Sequence, residues 1–306
     1  MKPDIITIGN VNLDIIMGVQ APWPIAGTEV VLEHCELREG GSAGNAALAL
    51  DALGSNHQLI ANMGQDFMGD WLRDRFGPLS EGWTASPLPT AFSVGITHPG
   101  GERTFFSHSG HLSGFCAQDV TPHLAPKKIR GSYLLFAGGF LSPLLATAYA
   151  ELFPRLRRDG ARIALDTGWP GEGWTAEIVD RVSGWLANVD ELLLNEAEIC
   201  GLAGCKEDEL EDAARRLLAT MPERATVVVK RGPLGGLALS ADGTRHEVPA
   251  QHVAVIDTIG AGDCFNAGYL WARVSGRSIA EATETGLKVA TTAISTRPRR
   301  YTVPAR

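Results

Sequence analysis

Short apolar segments alternate with longer amphipathic segments along most of this 306-residue chain. A short continuous apolar run indicates a buried strand, whereas apolar residues recurring every three or four positions indicate a helix. Strands that alternate with helices predict an α/β fold, with a doubly wound, mainly parallel sheet flanked by helices. The predicted strands are residues 4–8, 58–62, 132–137, 162–166, 191–194 and 226–230, and the predicted helices are residues 42–53, 68–76, 143–158, 176–186, 207–219, 261–274 and 279–295.

Two regions, residues 13–37 and 91–108, interrupt this alternation. The first contains two extended runs, 15–19 and 29–37, around a Pro/Gly turn. The second has the pattern of a hairpin that turns at Pro99-Gly100-Gly101-Glu102. Neither region has a helix to cover it, so we expect the two to pair as a small separate sheet. Such a sheet beside the mouth of an α/β domain would act as a lid.

The composition predicts a folded, acidic protein. The chain is 44% hydrophobic and has a net charge of −8, which allows a sizeable core but disfavours general nucleic-acid binding, because a phosphate backbone needs clustered Lys and Arg. The one dense basic stretch is the tail, which we interpret as a solvated terminus rather than a functional patch. Its members are Arg297, Arg299, Arg300 and Arg306.

The cysteines and the N-terminus predict a cytoplasmic protein. The cysteine count is odd, at five, and no Cys-x-x-Cys pair occurs, which indicates free thiols in a reducing compartment. The N-terminus lacks the apolar core of a signal peptide. The apolar stretch 133–153 is interrupted by glycines and a proline, which favours a strand, a turn and a helix over a membrane span.

The segment DTIGAGDCFNAGYL, residues 257–270, carries the strongest chemical signal. Gly260, Ala261 and Gly262 are small residues directly before an amphipathic helix, so the backbone can approach a ligand closely. The free N–H groups at a helix N-terminus then form an anion hole for a phosphoryl group. Asp263 lies in the first turn, where its carboxylate could accept the proton of an attacking hydroxyl. The alternative is a helix with an Asp cap after a flexible turn.

A second segment, GGSAGNAALALDALG at residues 40–54, also opens a helix. Gly40 and Gly41 could bring backbone N–H groups to the hydroxyls of a ligand, and Asn45 offers both a donor and an acceptor. The competing interpretation is a dinucleotide-binding loop. The segment has no complete G-x-G-x-x-G, does not follow the first core strand and contains no G-K-[ST], which disfavours both that loop and a Walker loop.

Together, in this order and spacing, the two segments resemble the signatures of the ribokinase, or PfkB, family of carbohydrate kinases. The resemblance covers essentially the whole chain and implies one ribokinase-like domain over residues 1–306, with a lid formed by residues 13–37 and 91–108. It implies transfer of the γ-phosphate of ATP to a sugar-like substrate bound under the lid. Asp263 would then be the catalytic base, and residues 260–263 would form the anion hole.

Further positions match the family pattern on the substrate and nucleotide sides. Asn12 and Asp14 follow the first strand as an Asn-x-Asp that would bind substrate hydroxyls, although an acid at a strand end could equally be a turn residue. Asn195 and Glu198 look like the family's Asn-x-x-Glu, which organises Mg²⁺, usually through water. Their spacing fits a helix N-cap with a capping-box Glu equally well. The resemblance places Lys230, Gly232 and Gly235 at the nucleotide.

The resemblance also implies a monovalent cation such as K⁺ near Asp257 and the backbone of Ile259. Here the chain departs from the family pattern, because residues 296–301 read TRPRRY where the family usually has a Gly-Ala. Residues 166–170, DTGWP, likewise lack the Asn and Arg of the Asp-x-Asn-x-Arg found in several sugar kinases. We therefore transfer no substrate contacts to this segment.

The remaining expectations concern the substrate and the lid. Strand alternation would place Arg103 and Phe105 on one face of the lid, facing substrate or packing within the lid. We expect a free sugar or sugar acid. A nucleoside is the alternative, and a phosphosugar is disfavoured because the lid supplies few cations besides Arg38 and Arg103. A catalytically silent sugar sensor is the alternative outside enzymes. Uncovered lid faces predict a homodimer that packs lid against lid.

Overall fold

In the computed structural model, residues 2–99 and 103–302 are described, and fourteen strands in these ranges form three sheets. In chain order the strands are β1 Ile5–Gly9, β2 Asn12–Gly18, β3 His34–Gly40, β4 His57–Ile60, β5 Asn62–Gly64, β6 Thr84–Ser86, β7 Phe92–Thr97, β8 Arg103–His108, β9 Tyr133–Ala137, β10 Arg162–Asp166, β11 Glu191–Asn195, β12 Thr226–Lys230, β13 Gly236–Ser240 and β14 Arg245–Val248. The helices are α1 Ser42–Ala52, α2 Phe67–Phe76, α3 Ala117–Val120, α4 Pro126–Ile129, α5 Pro143–Thr147, α6 Tyr149–Arg158, α7 Ala176–Leu186, α8 Glu196–Ala203, α9 Leu210–Leu218, α10 Ala261–Val274 and α11 Ile279–Ser295.

The central sheet has the strand order β14-β13-β12-β11-β10-β9-β1-β4. Strands β12 to β4 in that order are parallel, and each corresponds to one of the six predicted strands. Strands β13 and β14 extend the sheet as an antiparallel hairpin that the sequence did not predict. Glycines at the start of β13 and polar residues in β14 weaken the apolar pattern by which a strand is identified.

Helices cover both faces of the central sheet. One face packs apolar side chains of α5 to α9 in a cluster that includes Tyr149, Phe153 and Trp185. The other face packs α1, α10 and α11, through residues that include Leu50 and Phe265. Buried residues alternate between the two faces along each strand, as the period of two in a strand requires. The predicted doubly wound α/β fold is therefore confirmed.

A second sheet has the order β3-β2-β7-β8 and joins the two regions that interrupt the helix–strand alternation. We call it the lid sheet. Strand β2 pairs with β7 in parallel, and β3 and β8 are the antiparallel edges. The expected pairing is confirmed, but the strand predicted over 29–37 begins at His34 and continues to Gly40. Pro99 lies in the predicted turn, whereas Gly100, Gly101 and Glu102 lie outside the described residues.

Several helices also differ from the prediction. The helix predicted over 143–158 is divided into α5 and α6, and the helix predicted from residue 207 begins at Leu210 after a short 3-10 turn. Helix α8 follows Asn195 directly and was not among the predicted helices. In the two described ranges, no helix combines the length and apolarity that crossing a bilayer requires.

The parallel strands place their polar terminal residues along one edge of the central sheet. Asn10 follows β1, Asp166 ends β10, Asn195 ends β11 and Lys230 ends β12. In open α/β sheets this carboxyl edge is where ligands bind. Helix α10 begins at the same edge, because Asn266 near its start donates a hydrogen bond to Asp166.

Candidate active site

Gly260 is the N-cap of helix α10, and its φ of +72° lies in the left-handed region. A side chain at this position would also be crowded, because a Cβ would lie 2.7 Å from Asn45 Nδ2. Among the described residues, no side chain caps this N-terminus. The N–H of Ala261 donates to the carbonyl of Thr258 at 3.2 Å. The N–H groups of Gly262 and Asp263 are therefore the ones that the helix offers to an anion.

Asp263 is fixed by a hydrogen bond from helix α1. Asn45 Nδ2 donates to Asp263 Oδ2 at 2.9 Å, and Asn45 is itself buried. Burial and the neighbouring carboxylate of Asp166 raise the pKa of Asp263 to about 7, although the bond from Asn45 and the charge of Lys230 oppose this shift. The Asp263 carboxyl group can thus exchange a proton near neutral pH.

Lys230 lies among carboxylates beside the start of α10. Its Nζ donates to Asp166 Oδ2 at 2.8 Å, and a Cβ on Gly262 would lie 3.3 Å from the same nitrogen. Burial would lower the pKa of Lys230, but the charges of Asp166 and Glu198 outweigh burial and raise it. Asn266 Nδ2 also donates to Asp166 Oδ2, at 2.6 Å. Lys230 is therefore a fixed positive charge next to the predicted anion hole.

A cavity of about 530 Å³ contains every residue that was predicted to contact the nucleotide. Its polar wall comes from the ends of β10, β11 and β12 and from the start of α10. Its apolar wall comes from the segment after β14 and from α11. The predicted residues on its lining are Asn195, Glu198, Lys230, Gly232, Gly235, Gly260, Ala261, Gly262 and Asp263; the apolar wall includes Val253, Val255, Leu287 and Ala290.

Asn195 and Glu198 form the capping box that their spacing predicts. Asn195 Oδ1 accepts from the N–H of Glu198 at 2.8 Å, and Glu198 Oε2 accepts from the N–H of Asn195 at 2.9 Å. The pKa of Glu198 is raised to about 7 by burial and by the carboxylate of Asp166, against the charge of Lys230. The capping interpretation is confirmed, and the metal-binding interpretation of the same two residues stays a prediction.

Asp14, a predicted substrate-binding residue, lies on strand β2 and faces Arg38 of β3. Asn12 Nδ2 donates to Asp14 Oδ1 at 2.7 Å. Burial raises the pKa of Asp14 to about 6, against the charge of Arg38. A Cβ on Gly40 would overlap the Asp14 carboxylate, and a Cβ on Gly41, whose φ is +90°, would overlap the carbonyl of Asn10. Gly40 therefore allows the β3–α1 turn to pack directly on the Asp14 side chain, and Gly41 allows it to pack on the backbone of Asn10.

Three arginines surround Asp257, and we call these four residues the Asp257 cluster. Arg38 contacts Asp257 Oδ2 closely, Arg103 Nη2 lies 3.1 Å from Oδ1, and Arg299 Nη2 lies 3.4 Å from Oδ2. The N–H of Ile259 donates to Oδ1 at 2.9 Å. Burial would raise the pKa of Asp257, but this hydrogen bond and the guanidinium groups lower it. Both carboxylate oxygens are occupied by cationic groups, which disfavours the K⁺ site that the resemblance implied.

Arg299 also corrects the expectation for the C-terminal tail. The tail was predicted to be a solvated terminus, but the Arg299 side chain is only 15% exposed and contacts Asp257. Arg297 is exposed and pairs with Glu36 of β3. The described part of the tail, up to Thr302, therefore packs against strand β3 and Asp257 through Arg297 and Arg299, whereas Arg306 lies outside the described residues.

Arg103 and Phe105 lie on the same face of the lid sheet, as alternation predicted. Register across β2, β7 and β8 aligns them with Asp14 and Arg38 on the inner face. The Arg103 side chain is 10% exposed, and Phe105 is 45% exposed. This face borders a cavity of about 690 Å³, which is lined by Arg38, Arg103, Asp257 and Arg299 among others.

Sequence reasoning missed three residues of the site: Asp166, Asn266 and Arg299. Asn266 had a usable signal, because it follows Asp263 by three positions in one helix and so shares its face. Asp166 ends a predicted strand, which places it at the same edge as Asn195. Nothing in the sequence pattern identifies Arg299, because its partner Asp257 precedes it by 42 positions.

Comparison with known proteins identifies the family of the chain. The model of the pfkB family carbohydrate kinases matches residues 2–306. An uncharacterised sugar kinase of Escherichia coli is 25% identical over 94% of this chain and 88% of its own length. The ribokinase of Haemophilus influenzae is 23% identical over 100% of this chain and 97% of its own length.

Solved structures share the fold. The structure of Arabidopsis thaliana ribokinase complexed with ribose and ATP superposes with a TM-score of 0.78 at 20% identity, and the match covers 96% of this chain and 93% of that chain. The fold is thus ribokinase-like. Since the family model spans essentially the whole sequence, this chain belongs to the pfkB family of carbohydrate kinases.

Proposed function

We propose that this kinase transfers the γ-phosphate of ATP to a hydroxyl of a small sugar or sugar acid, with Asp263 as the general base. One observation carries the proposal. Asp263 lines the nucleotide-side cavity at the N-terminus of α10. Its carboxylate accepts a hydrogen bond from Asn45 of α1, the helix that directly follows strand β3 of the lid sheet. A hydroxyl beside this carboxylate would therefore meet a phosphoryl group at the helix N-terminus.

The Asp263 carboxylate would accept the hydroxyl proton as the oxygen attacks phosphorus. A pKa of about 7 suits this task, because the group is largely ionised at a slightly alkaline pH and still basic enough to take a proton. Asn45 donates to one carboxylate oxygen, which leaves the other to face the substrate. General-base catalysis of this kind accelerates a reaction by roughly 10²- to 10⁴-fold.

Charge on the transferring phosphoryl group would be taken up by fixed donors. These are the N–H groups of Gly262 and Asp263 at the positive end of α10 and the ammonium group of Lys230. Lys230 is anchored by Asp166 at 2.8 Å, so it needs no reorganisation when the phosphates bind. Preorganised donors in a site shielded from water are expected to supply most of the acceleration in phosphoryl transfer.

The acidic residues at this edge fit a hydrated Mg²⁺ carried by the ATP phosphates. Asp166 raises the pKa of Glu198, and a divalent cation would relieve the repulsion between the two carboxylates. In the part of the chain that the structure describes, no three His, Cys, Asp or Glu side chains converge as a metal cage. Magnesium needs few protein ligands because it keeps several waters. When bound near Asn195 and Glu198, it would neutralise charge on the ATP phosphates.

The lid side would bind the polyol. Asn12, Asp14 and Asn45 present an amide, a carboxylate and a second amide at one end of the site, and backbone N–H groups at Gly40 and Gly41 would add donors. The inner face of the sheet β3-β2-β7-β8 would close over the substrate and exclude water, which would otherwise compete as the acceptor. Phe105 on that face would pack on a sugar ring; a nucleoside base is the alternative occupant.

Substitution of Asp263 by Asn tests the proposal. The variant keeps the size of the side chain and removes the base, so kcat should fall by at least about 100-fold for every accepted sugar. The measurement is kcat for transfer of label from γ-³²P-ATP, with a panel of pentoses, hexoses, sugar acids and nucleosides as acceptors. Asp70→Asn is the control, because Asp70 is exposed on α2 and pairs only with Arg73 among the described residues.

Three outcomes separate the alternatives. Near wild-type transfer by Asp263→Asn would reject Asp263 as the base. A clear preference of the wild-type enzyme for a nucleoside would replace the sugar assignment. Tight sugar binding without any transfer would indicate a sensor.

We place the activity in the cytoplasm, because all five cysteines are unpaired, as expected in a reducing compartment.

A further inference from the structure

The Asp257 cluster holds more positive charge than its own carboxylate can neutralise. Arg38, Arg103 and Arg299 contribute three guanidinium groups to one carboxylate, and each of the three side chains is at most 15% exposed. A second acid, Asp14, faces Arg38 across the β2–β3 pair, and the charges of Arg38 and Arg299 act on its carboxyl group. Even with Asp14 ionised, the cluster keeps a net positive charge. Withdrawing unbalanced charge from water is costly, so a further anion is expected to bind here.

Two donors of the cluster are buried without an acceptor. Within residues 2–99 and 103–302, no group accepts a hydrogen bond from Arg38 Nη2 or from Arg103 Nε. Both arginines already give one nitrogen to Asp257, so their guanidinium planes are fixed while one further nitrogen of each has no acceptor among the described residues. A guanidinium edge binds the paired oxygens of a carboxylate or a phosphate.

The cluster lies beside the reacting end of the site. Arg299 Nη1 would be 3.3 Å, and Asn45 Nδ2 2.7 Å, from the same Cβ built on Gly260. Asn45 in turn holds Asp263. Arg38, Arg103 and Arg299 also line the cavity of about 690 Å³, which extends along strand β3 and the C-terminal segment. An anionic group held by the arginines would thus belong to the molecule whose hydroxyl faces Asp263.

We propose that the acceptor is an acidic sugar whose carboxylate or phosphate group is bound by Arg38, Arg103 and Arg299. The assignment rests on the proposed function, which leaves neutral and acidic sugars open. It also reverses the expectation that a phosphosugar is disfavoured, because that expectation counted only the two arginines of the lid. Arg299 from the C-terminal segment adds a third cation.

Matched pairs of ligands test the proposal. Glucose is compared with gluconate and glucose 6-phosphate, and fructose with fructose 1-phosphate and fructose 6-phosphate, each by ADP release and by isothermal titration in the presence of a nonhydrolysable ATP analogue. Charge-assisted hydrogen bonds to a buried arginine should make at least one acidic member of the panel bind about 30-fold or more tightly than its neutral partner. The member that does so distinguishes a carboxylate from a phosphate.

Variants identify the residues responsible. Arg103→Met should weaken binding of the preferred acidic sugar by about 10-fold or more and leave its neutral partner nearly unchanged. The effect should appear in KM more than in kcat, because Arg103 does not contact the transferring phosphoryl group in our mechanism. Arg75→Met is the control: Arg75 lines the same cavity but is half-exposed and pairs with Glu39. Thermal melting of each variant monitors folding.

These measurements distinguish an error in the anionic subsite from an error in the proposed kinase activity. If neutral sugars bind as tightly as every acidic partner, or if Arg103→Met weakens both members of a pair equally, the anionic subsite is wrong while kinase activity stands. If acidic sugars bind selectively but release no ADP from ATP, the subsite stands and the proposed phosphotransfer is wrong.

Discussion

Asp257 and Asp263 show how strongly neighbours determine the behaviour of one residue type. Asp257 accepts hydrogen bonds from an N–H group and contacts three guanidinium groups, which together lower its pKa. Burial and the nearby carboxylate of Asp166 raise the pKa of Asp263 to about 7, against the hydrogen bond that Asn45 donates to it. Asp257 is thus a permanently ionised anchor for arginines, whereas Asp263 can exchange a proton at neutral pH.

The pH dependence of catalysis follows from the raised pKa of Asp263. The base acts only when ionised, so kcat/KM for the sugar should be low below pH 6, rise through about pH 7 and level off above pH 8. Initial rates with saturating ATP and excess Mg²⁺, from pH 5.5 to 9, measure this profile. A flat profile, or a rate that increases as the pH falls, would contradict a carboxylate base.

The environment of Asp257 predicts a kinase that needs no K⁺. Arginine groups occupy both carboxylate oxygens, and an added cation would be repelled by them. Initial rates in chloride salts of K⁺, Na⁺ and tetramethylammonium at equal ionic strength should agree within about 2-fold, because salts at equal ionic strength screen charges to the same extent. Activation by K⁺ of 10-fold or more would show that a cation displaces an arginine.

At the scale of elements, the β3–α1 turn joins the lid to the central sheet. Gly40 ends β3 and leaves space for the carboxylate of Asp14, and Gly41 packs on the backbone of Asn10. The same turn starts the helix that carries Asn45. One short segment therefore sets the positions of Asp14, a proposed substrate ligand, and of Asn45, which donates a hydrogen bond to the proposed base Asp263.

Replacement of Gly40 by Ala should disturb the sugar side alone. The added methyl group would overlap the carboxylate of Asp14, so KM for the sugar should rise by about 10-fold or more, as for loss of a hydrogen bond to a charged group. KM for ATP should change little. Gly184→Ala in α7 is the matched control, since a Cβ there meets no atom within 4 Å. Equal increases in both KM values would argue that Gly40 supports the whole fold.

Sequence patterns predicted elements better than they predicted contacts between distant elements. The six parallel strands and the start of α10 follow from local apolar periodicity, and the Asn195–Glu198 capping box follows from a spacing of three. The Asp166–Lys230 and Arg299–Asp257 pairs join residues 64 and 42 positions apart. No local pattern encodes such pairs, because they depend on how the strands are ordered and where the C-terminal segment packs.

At the scale of the whole molecule, the outer face of the lid sheet is apolar and exposed. Leu37 is 55% exposed and Phe106 is 54% exposed, on the face opposite Asp14 and Arg38. Trp23 stacks on Phe106 at 5.9 Å and is itself half-exposed. Exposed apolar patches of this kind mark interaction surfaces, and we propose that two copies of the chain pair through this face.

Light scattering coupled to gel filtration tests the pairing. The wild-type protein should elute as a dimer at micromolar concentration, and Phe106→Glu should elute as a monomer, because a charge would be buried at the interface. Phe67→Glu is the control, since Phe67 is 81% exposed on α2, outside the lid sheet. A wild-type monomer, or a dimer that is insensitive to Phe106→Glu, would reject the interface.

The position of the γ-phosphate would show whether Asp263 is the general base. A crystal structure with Mg²⁺, a nonhydrolysable ATP analogue and an accepted sugar would locate it. Our account predicts that the γ-phosphate accepts hydrogen bonds from the N–H groups of Gly262 and Asp263. It also predicts that a sugar hydroxyl lies between the phosphorus atom and the Asp263 carboxylate. A nucleotide bound with its γ-phosphate away from the N-terminus of α10, or a sugar whose hydroxyls do not reach Asp263, would contradict it.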